Sequence, residues 1–244
     1  MYLNYLNPQT GKWGTKHVSL GALGDSFYEY LLKSWLLTNR TDEQAKRMYD
    51  TAMKVIKERL IRKSKGGLLH IVEMRGGMFA LDATFDSQHA EYMEIAKGIT
   101  DTCHQSYVRA VTHLGPEIFR FTDDLEAQTN SNDRYYILRP ETVESFFYLW
   151  RLTNILNYRE WAWDVVLALE KYCKAEAGYS GINDVYNSNP IKNDVQESFF
   201  LAETLKYLYL IFSTDTVLPL DKWVFNSEAH ALPVHEQTST QVAL

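Results

Sequence analysis

Several things are scarce in this 244-residue sequence, and each scarcity removes a class of function. Two cysteines, Cys103 and Cys173, cannot build a disulfide scaffold. The six prolines and twelve glycines form no Pro/Gly/Ser linker or low-complexity tract that would divide the chain. There is no run of Lys or Arg, and 25 basic against 31 acidic residues give a net charge of −6. Nucleic acid and anionic membrane surfaces are therefore poor partners. The longest greasy stretch, Phe199 to Phe212, carries Glu203 and Lys206 and is too short to span a bilayer. The start of the sequence has no basic-then-apolar leader. Aromatic residues, in contrast, are plentiful: 16 Tyr, 11 Phe and 6 Trp make up 14%. The length suffices for one large domain with a real core.

Two kinds of helix alternate along the chain. Ser26–Thr38 is apolar on nearly every side, as a helix buried all round must be. Asn39 to Asp42 signals a turn and an N-cap. Glu43–Ile61 then carries one apolar stripe, with Ala45, Met48, Tyr49, Ala52, Ile56 and Leu60 at helical spacing. The pair recurs as Glu141–Thr153, apolar on most sides, followed by the one-sided Tyr158–Ala175. Val195–Phe212 reads as a third all-round helix and Ala90–Tyr107 as a further one-sided one. Such alternation predicts an all-α fold of inner and outer helix layers, part of an α/α toroid. One place in the ring is weak. The inner helix before Ala90 has only Met78–Ala83 to form it, a length marginal by itself. Leu68–Met74 ahead of it reads as a strand in a short hairpin closed around glycines. The loops Asp123–Arg134 and Gly178–Asn193 read as polar rim connections.

Carboxylates inside greasy helices are informative, because a buried charge is unfavourable unless paired. Asp25 opens the first inner helix, and Glu141 and Glu144 share one face of another just after Pro140. Glu197 and Glu203 lie on the last inner helix, and Glu228 follows Ser227. Each alone is commonly a helix-dipole partner or a solvated side chain. Starts of parallel inner helices meet at one end of a ring, so several such carboxylates predict an acidic pocket for a hard cation, a polyol, or both. Calcium takes oxygen ligands of this kind. Paired carboxylates also serve glycoside hydrolysis. Glu29, Glu58 and Glu91 read as solvated. His70, His89 and His104 lack metal-ligand spacing. His230 adjoins the acidic motif. Cys103 and Cys173 fall on buried stripes without a neighbouring base, so neither reads as a nucleophile.

Four long stretches carry a resemblance: Gly21 to Lys33 (GALGDSFYEYLLK), Leu138 to Ser145 (LRPETVES), Glu197 to Tyr207 (ESFFLAETLKY) and Val224 to His230 (VFNSEAH). They resemble class I α-1,2-mannosidases, glycoside hydrolase family 47, over about Tyr5 to Val234. The resemblance implies an (α/α)7 barrel with short β-hairpins in its loops. It implies calcium-dependent, inverting removal of terminal α-1,2-linked mannose from high-mannose N-glycans on glycoproteins. Asp25 and Glu141 match catalytic carboxylates, Asp25 as proton donor or helper and Glu141 as the base that activates water. Ser227 stands where the family usually has the Thr that binds Ca²⁺. Glu144, Glu203 and Glu228 match carboxylates holding calcium-bound waters or sugar, and Arg139 and Phe199 match substrate-pocket positions. Leu23 matches the Golgi subtype, which implies a Golgi or endoplasmic-reticulum lumen and a membrane anchor elsewhere in the full-length relatives. No membrane contact is expected from this segment.

The departures from the family are specific. The resemblance covers only the C-terminal half of one catalytic domain, with residues 235–244 expected to be a disordered tail. The half that holds the family's general acid is not matched. A segment between Gly77 and Met78 is missing relative to the family, and with it goes the disulfide partner of the cysteine matching Cys103. The chain by itself is therefore expected to be inactive, and the open ends of an incomplete ring are expected to expose apolar flanks. Two other readings stand beside this one: a non-catalytic relative that binds mannose-rich glycans, and a truncated or mis-joined gene product. Asn39-Arg40-Thr41 is a possible glycosylation sequon in a turn.

Overall fold

The structure, a computed structural model, describes residues 1–18, 24–71, 76–85, 90–121 and 129–235. Helices dominate, and the strands are few and short. The chain divides into two compact units, Met1–Leu60 with Asp215–Leu244, and Ile61–Thr214. Among the described residues no helix is long and apolar enough to cross a membrane.

The first unit is built on α1 (Asp25–Leu37) and α2 (Glu43–Arg59), packed as a hairpin. The turn between them forces Asn39 and Arg40 to φ values of 52° and 65°, a left-handed bend that Asn tolerates better than most residues. Asp42 caps α2 as the sequence predicts. Its carboxylate accepts from the Ala45 N–H at 3.0 Å and the Ser34 hydroxyl at 2.7 Å, and these bonds hold its pKa below the ordinary range. Tyr28, Leu32, Tyr49, Met53 and Ile56 form the core. Glu29 is not solvated as expected: it is 6% exposed and forms a buried i, i+4 ion pair with Lys33. The pairing is what makes two charges tolerable on an inner helix. The later piece of the unit supplies an antiparallel hairpin, β3 (Trp223–Phe225) with β4 (Ala231–Pro233). It lies against α1, and the His235 N–H donates to the Leu37 carbonyl at 2.9 Å. Of the expected tail, only His235 is among the described residues. The sequon turn, Asn39 to Thr41, is exposed.

The second unit opens with β1 (Arg62–Lys63) paired to β2 (Leu69–His70). Gly67, at φ 97°, makes the turn. The expected strand Leu68–Met74 thus reduces to two residues, with 72–75 outside the described residues. The weak inner helix is longer than predicted. α3 runs Gly76–Phe85 and packs against both α4 (Ala90–Val108) and α5 (Glu141–Thr153). Phe79 and Ala80 are fully buried, and the Phe79 ring meets Tyr92 edge-on at 5.6 Å. Tertiary burial thus stabilises a helix that local propensity alone leaves marginal.

α5 is the centre of this unit. α3, α4, α6 (Asn157–Ala168) and α7 (Leu205–Phe212) all pack on it. Val143, Phe146, Phe147 and Leu149 are fully buried. α6 ends in a π-helical turn, Leu169–Cys173, and another π turn, Phe200–Thr204, leads into α7. The third inner helix does not start at Val195. Asp194 takes a left-handed φ of 57°, and the Val195 carbonyl accepts from the Gly181 N–H at 3.0 Å, which fixes the segment as an extended connection. The Gly178–Asn193 connection is also not simply a polar rim. Ile182 pairs with Tyr136 on one side and Lys192 on the other, and Ile182 and Val185 are fully buried. Outside the core, Trp163, Leu167, Leu201 and Tyr209 stay more than half exposed.

Because α3 depends on packing, Phe79→Ala is expected to destabilise by about 3–5 kcal/mol. Urea unfolding followed by circular dichroism measures this. A loss below about 1 kcal/mol would show that α3 does not carry the core.

Candidate functional site

The sequence places candidate residues in both units. In the first unit, Asp25 is the first residue of α1 and partly exposed, where the helix N-terminus favours its negative charge. Its Oδ1 accepts from the Ser26 N–H at 2.8 Å. Leu23 lies outside the described residues.

The β3–β4 connection carries Ser227 and Glu228. Its shape comes from Asn226, whose side-chain oxygen accepts from the N–H groups of Glu228 at 3.0 Å and His230 at 2.8 Å. Ala229 sits at φ 55° and is buried at the bend. The Ser227 hydroxyl lies 3.3 Å from the Tyr30 hydroxyl of α1, and its N–H donates to the same oxygen at 3.4 Å. Its carbonyl accepts no hydrogen bond among the described residues. One residue thus presents a hydroxyl and a free carbonyl, the donor pair a hard cation takes. Glu228 is exposed, and His230 enters the turn through its backbone. Among the described residues no group of three His, Cys, Asp or Glu side chains is placed to hold a metal. Any cation here would rely on Ser227 oxygens and water.

In the second unit the candidates gather where α5 begins. Leu138 is fully buried with φ at 68°, an unfavourable conformation for a branched side chain. Its carbonyl accepts from the Thr204 hydroxyl at 2.7 Å. Tyr136, just upstream, is held by the Ile182 pairing, and a Cβ on Gly181 would come within 2.8 Å of the Tyr136 carbonyl. These constraints fix the backbone that delivers Arg139, Pro140 and Glu141. Pro140 is the cap residue and has no N–H to leave unpaired.

Arg139 is gripped in two-toothed fashion by Glu117, at 2.8 and 2.5 Å. That hydrogen bonding raises its pKa well above the ordinary value, so the guanidinium is permanently charged. Its other nitrogen is 3.7 Å from the Glu141 carboxylate, which is partly exposed at the first position of α5. Glu144, one turn on, is buried and accepts from the Tyr207 hydroxyl at 3.0 Å. Glu203 is buried in the π turn 200–204, and Phe199 stands partly exposed immediately before it. The structure therefore brings Arg139, Glu141 and Glu144 together at one helix start. Thr204 and Tyr207 link the region around Glu203 to the same start. Glu117, Leu138, Thr204 and Tyr207 are positioning residues that sequence reasoning missed. Leu138, Thr204 and Tyr207 lie in the motifs given above, the first two next to a candidate, and nothing local marks Glu117.

Cys103 and Cys173 are both free. Burial pushes the Cys103 thiol up to about 11, with the nearby Glu141 charge adding to the shift and a Thr142 hydrogen bond opposing it. Burial pushes Cys173 up to about 12. Both thiols stay protonated at neutral pH, and no nucleophilic role follows. His104 is likewise structural, its ring stacked on Trp161 at 3.8 Å.

The model of glycosyl hydrolase family 47 matches residues 1–234. The chain is 56% identical to a fruit-fly (Drosophila melanogaster) protein named mannosyl-oligosaccharide alpha-1,2-mannosidase IA, over 96% of this chain and 38% of that protein. It is 51% identical to human mannosyl-oligosaccharide 1,2-alpha-mannosidase IB, over 100% of this chain and 41% of that one. Its fold superposes on an alpha-1,2-mannosidase from Trichoderma reesei with a TM-score of 0.84 at 28% identity, over 94% of this chain and 55% of that one. The chain thus spans about two fifths of the length of the curated relatives. The fruit-fly alignment runs over 252 positions against a 244-residue chain, so it carries gaps on this side.

The thiols give a test. In the folded chain both are expected to react slowly with iodoacetamide at about pH 8, and both quickly after unfolding. The folded Cys103 pKa lies above its unfolded value, so the unfolded chain loses the proton first. Stability contributed below about 9 is therefore lost as pH climbs from 9 through 11. Cys103→Ala is expected to flatten part of that slope in urea unfolding across this range. A slope unchanged by the substitution would refute the assignment.

Proposed function

The chain belongs to glycosyl hydrolase family 47, and from that membership we propose that it is the C-terminal part of a calcium-dependent, inverting α-1,2-mannosidase. The substrate class is terminal α-1,2-linked mannose on high-mannose N-glycans. The helix pairs are read as a segment of the family's (α/α)7 barrel, and a Golgi or endoplasmic-reticulum lumen is the proposed location. The observation that supports this most is the start of α5. There a partly exposed Glu141 carboxylate sits on a helix N-terminus, 3.7 Å from a permanently charged Arg139.

In this reading Glu141 takes the proton of the water that attacks the anomeric carbon, and the bond to the leaving sugar breaks on the opposite face. Arg139, fixed by Glu117, keeps that carboxylate in place and offers donors to sugar hydroxyls. Asp25 assists proton delivery to the leaving oxygen. Phe199 offers a ring face for the sugar, and Glu144, Glu203 and Glu228 hold hydroxyls or ordered waters. Leu23 takes the family's substrate position by sequence match alone. The Ser227 hydroxyl and carbonyl fit Ca²⁺ as a two-oxygen donor. When bound, the ion supplies a positive centre that orients sugar and water oxygens.

A second reading is a non-catalytic relative that binds mannose-rich glycans, for which the partly exposed Phe199 and the Ser227 oxygens would serve.

Three measurements test these readings. Titration calorimetry is expected to show one saturable Ca²⁺ site, weakened at least tenfold in Ser227→Ala; an unchanged affinity would remove Ser227 from the site. The 244-residue chain is expected to release no mannose from a high-mannose glycan in Ca²⁺. Joined to the upstream part of the fruit-fly relative's domain, it is expected to gain activity that Glu141→Gln lowers by about 10²–10⁴-fold. Full activity in that variant would dismiss Glu141 as the base.

A further inference from the structure

The second unit holds a cavity of about 460 Å³ between β2, α4 and residues 117–121, bordering the start of α5 through Glu117 and Cys103 but not lined by Glu141. That volume falls in the ordinary range of small-molecule sites, about 300–1,000 Å³. Its walls are Leu69, Ile71, Ile99, Ile118, Phe119 and Phe121. What makes it informative is the state of its few polar groups. The Thr102 hydroxyl donates to the Leu69 carbonyl at 2.6 Å. Glu117 is taken by Arg139, and Arg120 by Asp133 at 3.0 Å. The Cys103 thiol is protonated.

His70 is different. Its ring lies flat on Phe121, with centroids 4.2 Å apart and planes 13° from parallel. Neither of its ring nitrogens has a hydrogen-bond partner among the described residues. Burial, and then the Arg62 charge, lower its pKa, so the imidazole is neutral at pH 7 and has one nitrogen to donate and one to accept.

The chemistry of these walls selects the occupant. A sugar needs many polar partners, and among the described lining side chains only His70 lacks one. A cation needs a carboxylate, and Glu117 is already engaged. An anion needs an unpaired positive group, and Arg120 is paired. An apolar cavity of this kind takes up aromatic molecules, and the flat His70–Phe121 stack offers a surface parallel to which a further ring can lie. We propose that the cavity is a binding site for a neutral, flat aromatic molecule that carries one hydrogen-bonding group, anchored by His70. This goes beyond the glycosidase reading and does not depend on it, since no sugar, Ca²⁺ or catalytic carboxylate takes part.

The test uses the 244-residue chain with 2-naphthol and naphthalene, followed by ligand-observed saturation-transfer NMR. Both are expected to bind saturably, 2-naphthol more tightly. Ile99→Trp and, independently, Ile118→Trp fill the cavity and are expected to abolish binding of both while circular dichroism stays unchanged. His70→Phe keeps the ring stack and removes the hydrogen bond. It is expected to weaken 2-naphthol about tenfold and leave naphthalene unaffected. Absence of saturable binding to the unaltered chain overturns the proposal. So does binding that survives in a folded filling variant. Equal weakening of both probes in His70→Phe overturns the anchor.

Discussion

The burial of α5 on almost every side is the constraint from which the rest of the second unit follows. A helix so enclosed has little flank on which to display charge: Arg151 sits in its last turn, and its carboxylates lie where it begins. There the polar groups are matched. Glu144 has the Tyr207 hydroxyl, Arg139 has Glu117, and the Leu138 carbonyl has the Thr204 hydroxyl. Packing fixes the helix, and the matched groups fix how the chain enters it. The left-handed Leu138 belongs to that entry. Its conformation is unfavourable by about 1–3 kcal/mol and persists because complete burial and the Thr204 bond over-determine it.

The parts of the fold legible in the sequence are those where one local signal decides the outcome. Glu141–Thr153 was bounded correctly at both ends because Pro140 opens it and apolar residues fill it. Asp42 announced α2 because a cap is a short-range event. The misreadings arose where distant residues decide. α3 looked too short because its stability comes from α4 and α5. Val195–Glu197 looked helical because composition does not reveal the bond from Gly181 to the Val195 carbonyl. Glu29 looked solvated because a carboxylate taken alone does not reveal that Lys33, one turn on, pairs with it in the interior. Within the candidate site, Asp25, Glu141 and Ser227 stood out by motif. Glu117 did not, since its partner lies 22 residues away and no spacing rule joins them.

The two units handle ionisable groups in the same way. The Glu29–Lys33 pair, the Arg139–Glu117 pair and the two protonated thiols are each either neutralised by a partner or kept uncharged by burial. His70 is partly exposed, stacked on Phe121 without a hydrogen bond among the described residues, and lines the cavity.

The hydrogen bond from His235 to Leu37 ties together pieces of the first unit that are almost the whole chain apart. During synthesis α1 and α2 leave the ribosome before the second unit does, and the β3–β4 hairpin that lies against α1 is made after it. The second unit, continuous in sequence, is complete before that hairpin exists. The first unit must therefore wait with apolar α1 side chains uncovered while the second unit forms. Its assembly is a late, long-range closure of the kind that is intrinsically slow and open to aggregation. The chain's weakest moment is set by the order in which its residues are joined.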